Sequence, residues 1–516
     1  MTSPTVRVLA SAAGFSLAGT ALAQWSTDPA NNLRIADRTG EQVQPKIQAS
    51  PDGGCWVSWF DNAAGGYDVY VQRLSADGQE QLPHNGVLVC DRGVSSTVDY
   101  DLAVDAEGNA LVAYNDDAVV PGSQQISVSK VSPGGTVLWT TTVSSGTLFK
   151  ANPRLTVLSD GTCVVGYSLG TSPQSWVAQR LSSGGVALWT APGISIAEAG
   201  RYLALCDLKP AGKGFVAMWI RASGTNAITS NKGLALQRFN AAGEAQWNAG
   251  APTIIFAGTS AESVQNGYFP TMAADGAGGV VVGWYEVSGA RNAYLQHVLA
   301  DGSLKFPAPV SNAVTGSNRI RLGAALGFDP SGPAYYLAAT EGTLSTVVDR
   351  TFVQKFDGTG TRLWGDTGTE IIPIGATQQS FLACLPQADG CIVAGLDTRS
   401  SSTKVVFAAK ASNDLTVPWS ILADSDASTD KGRLGATLST SGAALLAFQI
   451  GGMESWDIAA QRVNPSGTVG PAGCYANCDG STGSPLLTAN DFQCFLNKYA
   501  ANDTYANCDG STGNPL

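Results

Sequence analysis

Apolar and polar positions along this chain alternate in short bursts, without the broad stripes that a helix needs. Eight times, roughly every 50 residues, a turn leads into a short apolar run: Cys55-Trp56-Val57-Ser58-Trp59, Leu111-Val112-Ala113-Tyr114, Cys163-Val164-Val165-Gly166-Tyr167 and Phe215-Val216-Ala217-Met218-Trp219 in the first half. Val280-Val281-Val282-Gly283-Trp284, Tyr335-Tyr336-Leu337, Cys391-Ile392-Val393-Ala394 and Leu445-Leu446-Ala447-Phe448 follow in the second. Turn residues such as Asp52-Gly53-Gly54, Asp160-Gly161 and Asp389-Gly390 bound them. Runs this short, rich in β-branched and aromatic side chains, read as buried strands. After each comes a second alternating segment. Six copies carry Gln72-Arg73, Gln179-Arg180, Gln237-Arg238, Gln296-His297, Gln354-Lys355 and Gln461-Arg462; two depart, with Ser129-Lys130 and Ala409-Lys410. A glycine or acidic turn follows, then Trp139, Trp189, Trp247, Phe306, Trp364 or Trp419.

A repeat of this length predicts an all-β fold, a β-propeller of about eight four-stranded blades over residues 24–470, with seven blades as the alternative. The ends support closure. The eighth unit stops at Gly467-Thr468 with no Trp segment after it, while an orphan copy, Gln24-Trp25 through Ile35-Ala36, precedes the first unit. An N-terminal strand that completes the last blade removes the free sheet edges. The shared Gln and Trp positions are expected to pack, Gln on neighbouring backbone between blades and Trp as a ring docking one blade on the next.

Residues 1–23 read as a secretory signal peptide: Arg7 is a basic n-region, Val8 to Ala18 a mostly apolar run, and Ala21-Leu22-Ala23 a cleavage signal. No later stretch has the length of apolar residues that a spanning helix needs. The protein is expected to be exported, monomeric, and secreted or held at a bacterial cell surface. A formal charge of -11 argues against nucleic acid as a partner. Ten cysteines suit an oxidising compartment. Cys55, Cys163 and Cys391 share one blade position and read as core fillers, while Cys384 and Cys391 flank one hairpin and could pair.

Residues 471–516 form a distinct tail. Tyr475-Ala476-Asn477-Cys478-Asp479-Gly480-Ser481-Thr482-Gly483 recurs as Tyr505-Ala506-Asn507-Cys508-Asp509-Gly510-Ser511-Thr512-Gly513. Between them Thr488 to Ala500 reads as a helix, with Phe492, Phe495, Leu496 and Tyr499 on one face. Oxygen side chains at alternate loop positions, followed by an acid that opens a helix, are the pattern of a calcium loop. The ligands would be Asn477, Asp479, Ser481 and Asp491, with Asn507, Asp509 and Ser511 in the second copy. A disulfide-stapled hairpin without metal is the alternative. The Asn-Cys-Asp-Gly-Ser and Asn-Asp-Phe-Gln-Cys-Phe-Leu segments resemble dockerin-like C-terminal domains of secreted bacterial proteins, which implies a calcium-binding module that attaches the chain to a surface or partner. The loop is longer than the usual one, and Asn at its first position supplies no charge. The second copy stops before its helix, which suggests a longer natural chain.

Catalytic candidates are few. The two histidines are His297, at a repeat position where other blades have Arg or Lys, and His84, in a turn. A Ser-His-Asp triad or a His-based zinc site is therefore not expected. Asp61, Asp116, Glu286, Glu341 and Asp397 follow the second strand in five blades and could form a partial ring of carboxylates near the channel, able to bind a cation or sugar hydroxyls. Arg221 has the same place in a sixth blade and could pair with one of them. The Gly turns before Trp189 and Trp364 resemble those of bacterial quinoprotein-type propellers, without the adjacent cysteines of the enzyme members. Ser50-Pro51-Asp52-Gly53-Gly54 mimics the turn of sialidase-like propellers once. The leading expectation is a non-enzymatic binding or scaffold propeller, with a polysaccharide or a cell-surface protein as its partner. Its alternative is a glycan-active enzyme, hydrolase or lyase, with carboxylates on the channel face.

Overall fold

The computed structural model describes residues 24–471, apart from 94–99, 118–122, 289, 344–349, 373–377 and 399–402, together with 489–500. Among these residues the chain forms eight four-stranded antiparallel sheets, so the ring has eight blades and not seven. Blade 1 runs outward through Gln42–Ala49, Cys55–Asp61, Asp68–Leu74 and Val87–Cys90. Six more blades repeat that order. The eighth takes three strands from Asp430–Leu438, Ala444–Gly451 and Asp457–Val463, and its outermost strand is Leu33–Ala36 from the start of the chain. The register Leu33↔Ala460 makes the closure that the orphan copy predicts.

Each blade is a single sheet and buries its faces only against its neighbours. Eight apolar clusters result, and each spans two adjacent blades. One joins blade 4 to blade 5 through Met218, Trp247, Val282 and Trp284. Another seals blade 8 to blade 1 through Trp25, Ile35, Ile47 and Trp59. The repeated Trp completes these seams. Trp247 donates its ring N–H to the Ala300 carbonyl of the next blade at 2.9 Å, and its ring lies flat under Gly302. Trp139 with Ser183, Trp419 with Pro465 and Trp25 with Ala76 repeat the bond. The glycines of these four turns, Gly78, Gly185, Gly302 and Gly467, have φ between 82° and 87°, and a Cβ on any of them would stand within 2.6 Å of the ring. Gly therefore recurs for two reasons, left-handed backbone and close approach. The early Trp25 takes the part that the eighth unit lacks.

The repeated Gln acts within a blade, and not between blades as the sequence suggested. Gln237 Oε1 accepts from the N–H groups of Arg238 and Trp247, and its Nε2 donates to the Trp247 and Ala251 carbonyls. It replaces ladder bonds where the chain turns from third strand to fourth. Gln461 of the last blade reaches the Ser26 carbonyl instead. The basic residue one place after the Gln position pairs with the Asp of the neighbouring turn, also where Ser129 replaces Gln: Lys130 with Asp105 at 2.7 Å, Arg180 with Asp160 at 2.6 Å, His297 with Asp275 at 3.1 Å. His297 is a repeat position, as its place in the series implies. Cys384 and Cys391 are free and buried, so they do not pair; Cys391 lies opposite Pro386, and Cys384 opposite Val393.

In the tail the helix spans Ala489–Ala500, with Asp491 buried in its first turn and Phe492, Leu496 and Tyr499 exposed. Cys494 is disulfide-bonded. Asn477, Asp479, Ser481, Asn507, Asp509 and Ser511, and residues 1–23, lie outside the described residues. No described helix is long and apolar enough to cross a membrane.

Candidate functional site

The inner strands of the eight blades surround the central channel, and six of them are broken by a bulge near their first residues. Pairing shifts between Val43 and Lys46, Ala151 and Arg154, Leu205 and Asp207, Leu322 and Ala325, Ser380 and Ala383, and Gly432 and Leu434. A bulge re-aims the side chains beside it. Four non-glycine residues in these bulges have left-handed backbone: Gln44 (φ 57°), Asn152 (51°), Phe381 (51°) and Arg433 (44°). Each such residue costs about 1–2 kcal/mol, so its surroundings must hold it. For Gln44 they do so from two blades: its N–H donates to Gln449 Oε1 at 3.0 Å, and its carbonyl accepts from the Tyr100 hydroxyl at 2.8 Å.

These four side chains, with Lys46 and Phe269, line a 390 Å³ cavity at the end of the channel where the inner strands begin. Below it, sharing Lys46 and Phe269, lies a cavity of 670 Å³. At one level of its wall, four successive blades present Lys46, Asp101, Arg154 and Asp207, so the charge alternates in sign around half the ring. The equivalent positions of the other blades, Thr271, Ala325, Ala383 and Gly435, are uncharged.

The two carboxylates tie blades together as well as facing the cavity. Asp101 Oδ2 accepts the Leu155 N–H of the next blade at 2.8 Å, and Asp207 Oδ2 accepts the Met272 N–H of the next at 2.7 Å. Lys209 Nζ donates to Asp207 Oδ1 at 2.9 Å, and Arg154 Nε to the Cys206 carbonyl at 2.6 Å. Burial pushes the Asp101 carboxyl up; the Lys46 and Arg154 charges and the Leu155 N–H oppose that, Asp207 adds to it, and the balance stays above the usual carboxylate range. Cys206, also in the wall, is an inert thiol that burial pushes up to about 12.

The five acids singled out in the sequence sit at the expected strand ends, buried inside the blades. Asp61 meets Gln42 and the Ala63 N–H, and Arg38 stands 3.6 Å away. Asp116 accepts from Ser127, Glu286 from the Tyr294 hydroxyl and Asp397 from Gln379. Glu341 carries Arg321 at 2.8 Å and Arg350 at 3.0 Å. None of the five lines either channel cavity, and Arg221 pairs with Glu198 at 2.6 Å and not with one of them. The channel-wall residues went unnoticed because they belong to the first strands. A signal existed there: Gln44-Pro45-Lys46, Asn152-Pro153-Arg154 and Phe269-Pro270-Thr271 repeat an x-Pro-x step in alternate blades.

No family model matches this chain, and no curated protein matches it. Solved structures do. A polysaccharide lyase, an ulvan lyase, is 12% identical over 86% of this chain and 97% of its own, with a TM-score of 0.43. An α-L-arabinanase of Penicillium chrysogenum is 15% identical over 64% of this chain and 98% of its own, with a TM-score of 0.35. An α-L-arabinofuranosidase of Fusarium graminearum is 13% identical over 60% and 92%, with a TM-score of 0.38. Likeness at this level transfers no site. The expectation of a non-enzymatic binding or scaffold propeller is nonetheless corrected: these three matches are glycan-active enzymes, the class of the alternative expectation.

Proposed function

We propose that the protein is a glycan-cleaving enzyme whose chemistry takes place in the 670 Å³ channel cavity. One observation carries this reading: carboxylates of two alternate blades, Asp101 and Asp207, face one cavity among Lys46, Arg154 and Lys209, with Tyr268 and Phe269 beside them. A cavity of that volume, with aromatic surface and a few converging charged groups, suits a small part of a polymer chain. Asp101, whose proton is held more tightly than usual, donates it to the glycosidic oxygen as the C–O bond breaks. Asp207 takes a proton from the water whose oxygen adds to the sugar carbon. Phe269, present in both cavities, would hold the face of a sugar ring. The five strand-end acids take no part, each being engaged within its blade.

Incubation of the full chain with a panel of plant and algal polysaccharides tests this by the release of new reducing ends. Release is expected, and Asp101→Asn is expected to lower it about 100-fold or more with the near-UV dichroism unchanged. New ends that absorb in the ultraviolet as unsaturated sugars would keep the site but replace hydrolysis with elimination. No release from any polymer would overturn the reading. The leader-like residues 1–23 and the Asn-Cys-Asp-Gly-Ser repeats support an exported enzyme attached to a surface by a calcium-dependent, dockerin-like tail. A gain of helical dichroism on calcium addition is expected; an unchanged spectrum would remove calcium from the account.

A further inference from the structure

The 390 Å³ neck differs in charge from the rest of the molecule. The chain carries a formal charge of -11, yet the neck is lined by two cations, Lys46 and Arg433, two amides, Gln44 and Asn152, and two aromatic rings, Phe269 and Phe381, with no carboxylate among its lining residues. Arg433 and Phe381 belong to adjacent blades. The guanidinium lies 5.4 Å from the centre of the Phe381 ring, and the ring is 43% exposed. Among the described residues Arg433 has no ion pair, although Asp and Glu together outnumber Lys and Arg 41 to 30 in this chain. Both residues have the left-handed backbone that glycine would take without strain, and Gly432 stands next to Arg433. Strain retained on bulky side chains at the mouth of a cavity points to a use for them there.

We infer that this neck is a subsite for an anionic sugar unit, in which Arg433 grips a carboxylate or sulfate ester and Phe381 supports the ring that bears it. A guanidinium offers a planar fork of donors that matches either oxyanion. The flat apolar ring covers the C–H face of a sugar, and the Gln44 and Asn152 amides are within the same cavity for its hydroxyls. Cations gathered in a cleft also concentrate a polyanion that the acidic outer surface repels. The inference rests on the glycan reading and narrows it to acidic polymers.

Affinity electrophoresis of the full chain tests it, in gels that hold polygalacturonate, a sulfated galactan, or the same polymers after carboxyl reduction or desulfation. Retardation by a charged polymer and not by its neutral counterpart is expected. Which of the two retards assigns carboxylate or sulfate. Arg433→Gly relieves the backbone and removes the charge, so it should melt no lower than the parent and bind about tenfold more weakly; Arg433→Lys should keep part of the affinity. Equal retardation by charged and neutral polymers, or an Arg433→Gly variant that binds as the parent does, would overturn the inference. Cleavage of neutral polymers without regard to charge would do so while leaving the glycan reading intact. Charge-dependent retardation with no cleavage of any polymer would leave the subsite and remove the enzyme.

Discussion

Trp247 shows at the scale of one residue why an aromatic recurs in nearly every blade. Its ring fills the seam between blades 4 and 5, and its N–H satisfies the Ala300 carbonyl. Trp247→Ala is expected to cost about 3–5 kcal/mol. Gly302→Ala should be nearly as damaging, because the new Cβ would stand 2.5 Å from the indole at φ 87°; denaturation midpoints check both, and a neutral Gly302→Ala would contradict the packing account. The turn aspartates are expected to govern the acid limit of the fold. Burial alone would raise Asp105 and Asp275, but Lys130 and Asn109 for the first, and His297 with two backbone N–H groups for the second, hold them below the ordinary range. Carboxyls lowered by folding lend stability that is present above an ordinary Asp value of about 3.9 and lost as pH falls through the folded value. Asp101, raised, acts in the opposite sense: its contribution is present below the ordinary value and fades as pH rises through the folded one. Melting temperature should therefore drop as pH falls below about 4, and Asp105→Asn should flatten that drop. An unchanged slope would show that the turn pairs do not govern acid unfolding.

Among the elements, the second and third strands were legible and the first were not. Val280–Tyr285 and its counterparts read as strands because burial on both faces leaves an unbroken apolar run. Gln296 and Trp247 could be aligned across blades because they repeat a packing role, and any packing role must recur wherever two blades meet. The inner strands face water in the channel on one side, so their sequences are freer to diverge, and bulges disrupt their alternation. Lys46, Asp101, Arg154 and Asp207 occupy equivalent positions, yet no two neighbours share a charge. Repetition thus revealed the fold and hid the channel-wall residues of the proposed site. Two of the strand-end acids share one packing role: Asp61 with Gln42 and Asp397 with Gln379 are the same buried pair in two blades. The bulges allow a direct check. Asn152 at φ 51° should tolerate Gly, whereas Asn152→Val should destabilise by about 1–2 kcal/mol or more, read from thermal melts; a Val as stable as the parent would mean that the bulge is not held.

At the scale of the whole molecule the ring depends on Leu33–Ala36 and Trp25, which come from the opposite end of the chain to the blade that they complete. Removal of residues 24–37 would uncover the strand Asp457–Val463 and the seam to blade 1, so loss of the monomer to aggregation is expected by size-exclusion chromatography; a monodisperse truncated protein would contradict closure by this strand. A closed ring fixes the inner strands around one axis, and that brings Asp101 and Asp207, 106 positions apart in the chain, to a single cavity. The same closure places Arg433 of the last blade in a cavity with Gln44 of the first. The most direct test is a crystal structure of Asp101→Asn with an oligosaccharide of the polymer that the parent protein cleaves best. The account predicts sugar density in the channel, with one ring against Phe381 beside Arg433 and a glycosidic oxygen facing position 101. Sugar bound on the outer rim or between the turns, with the channel free of it, would contradict the account.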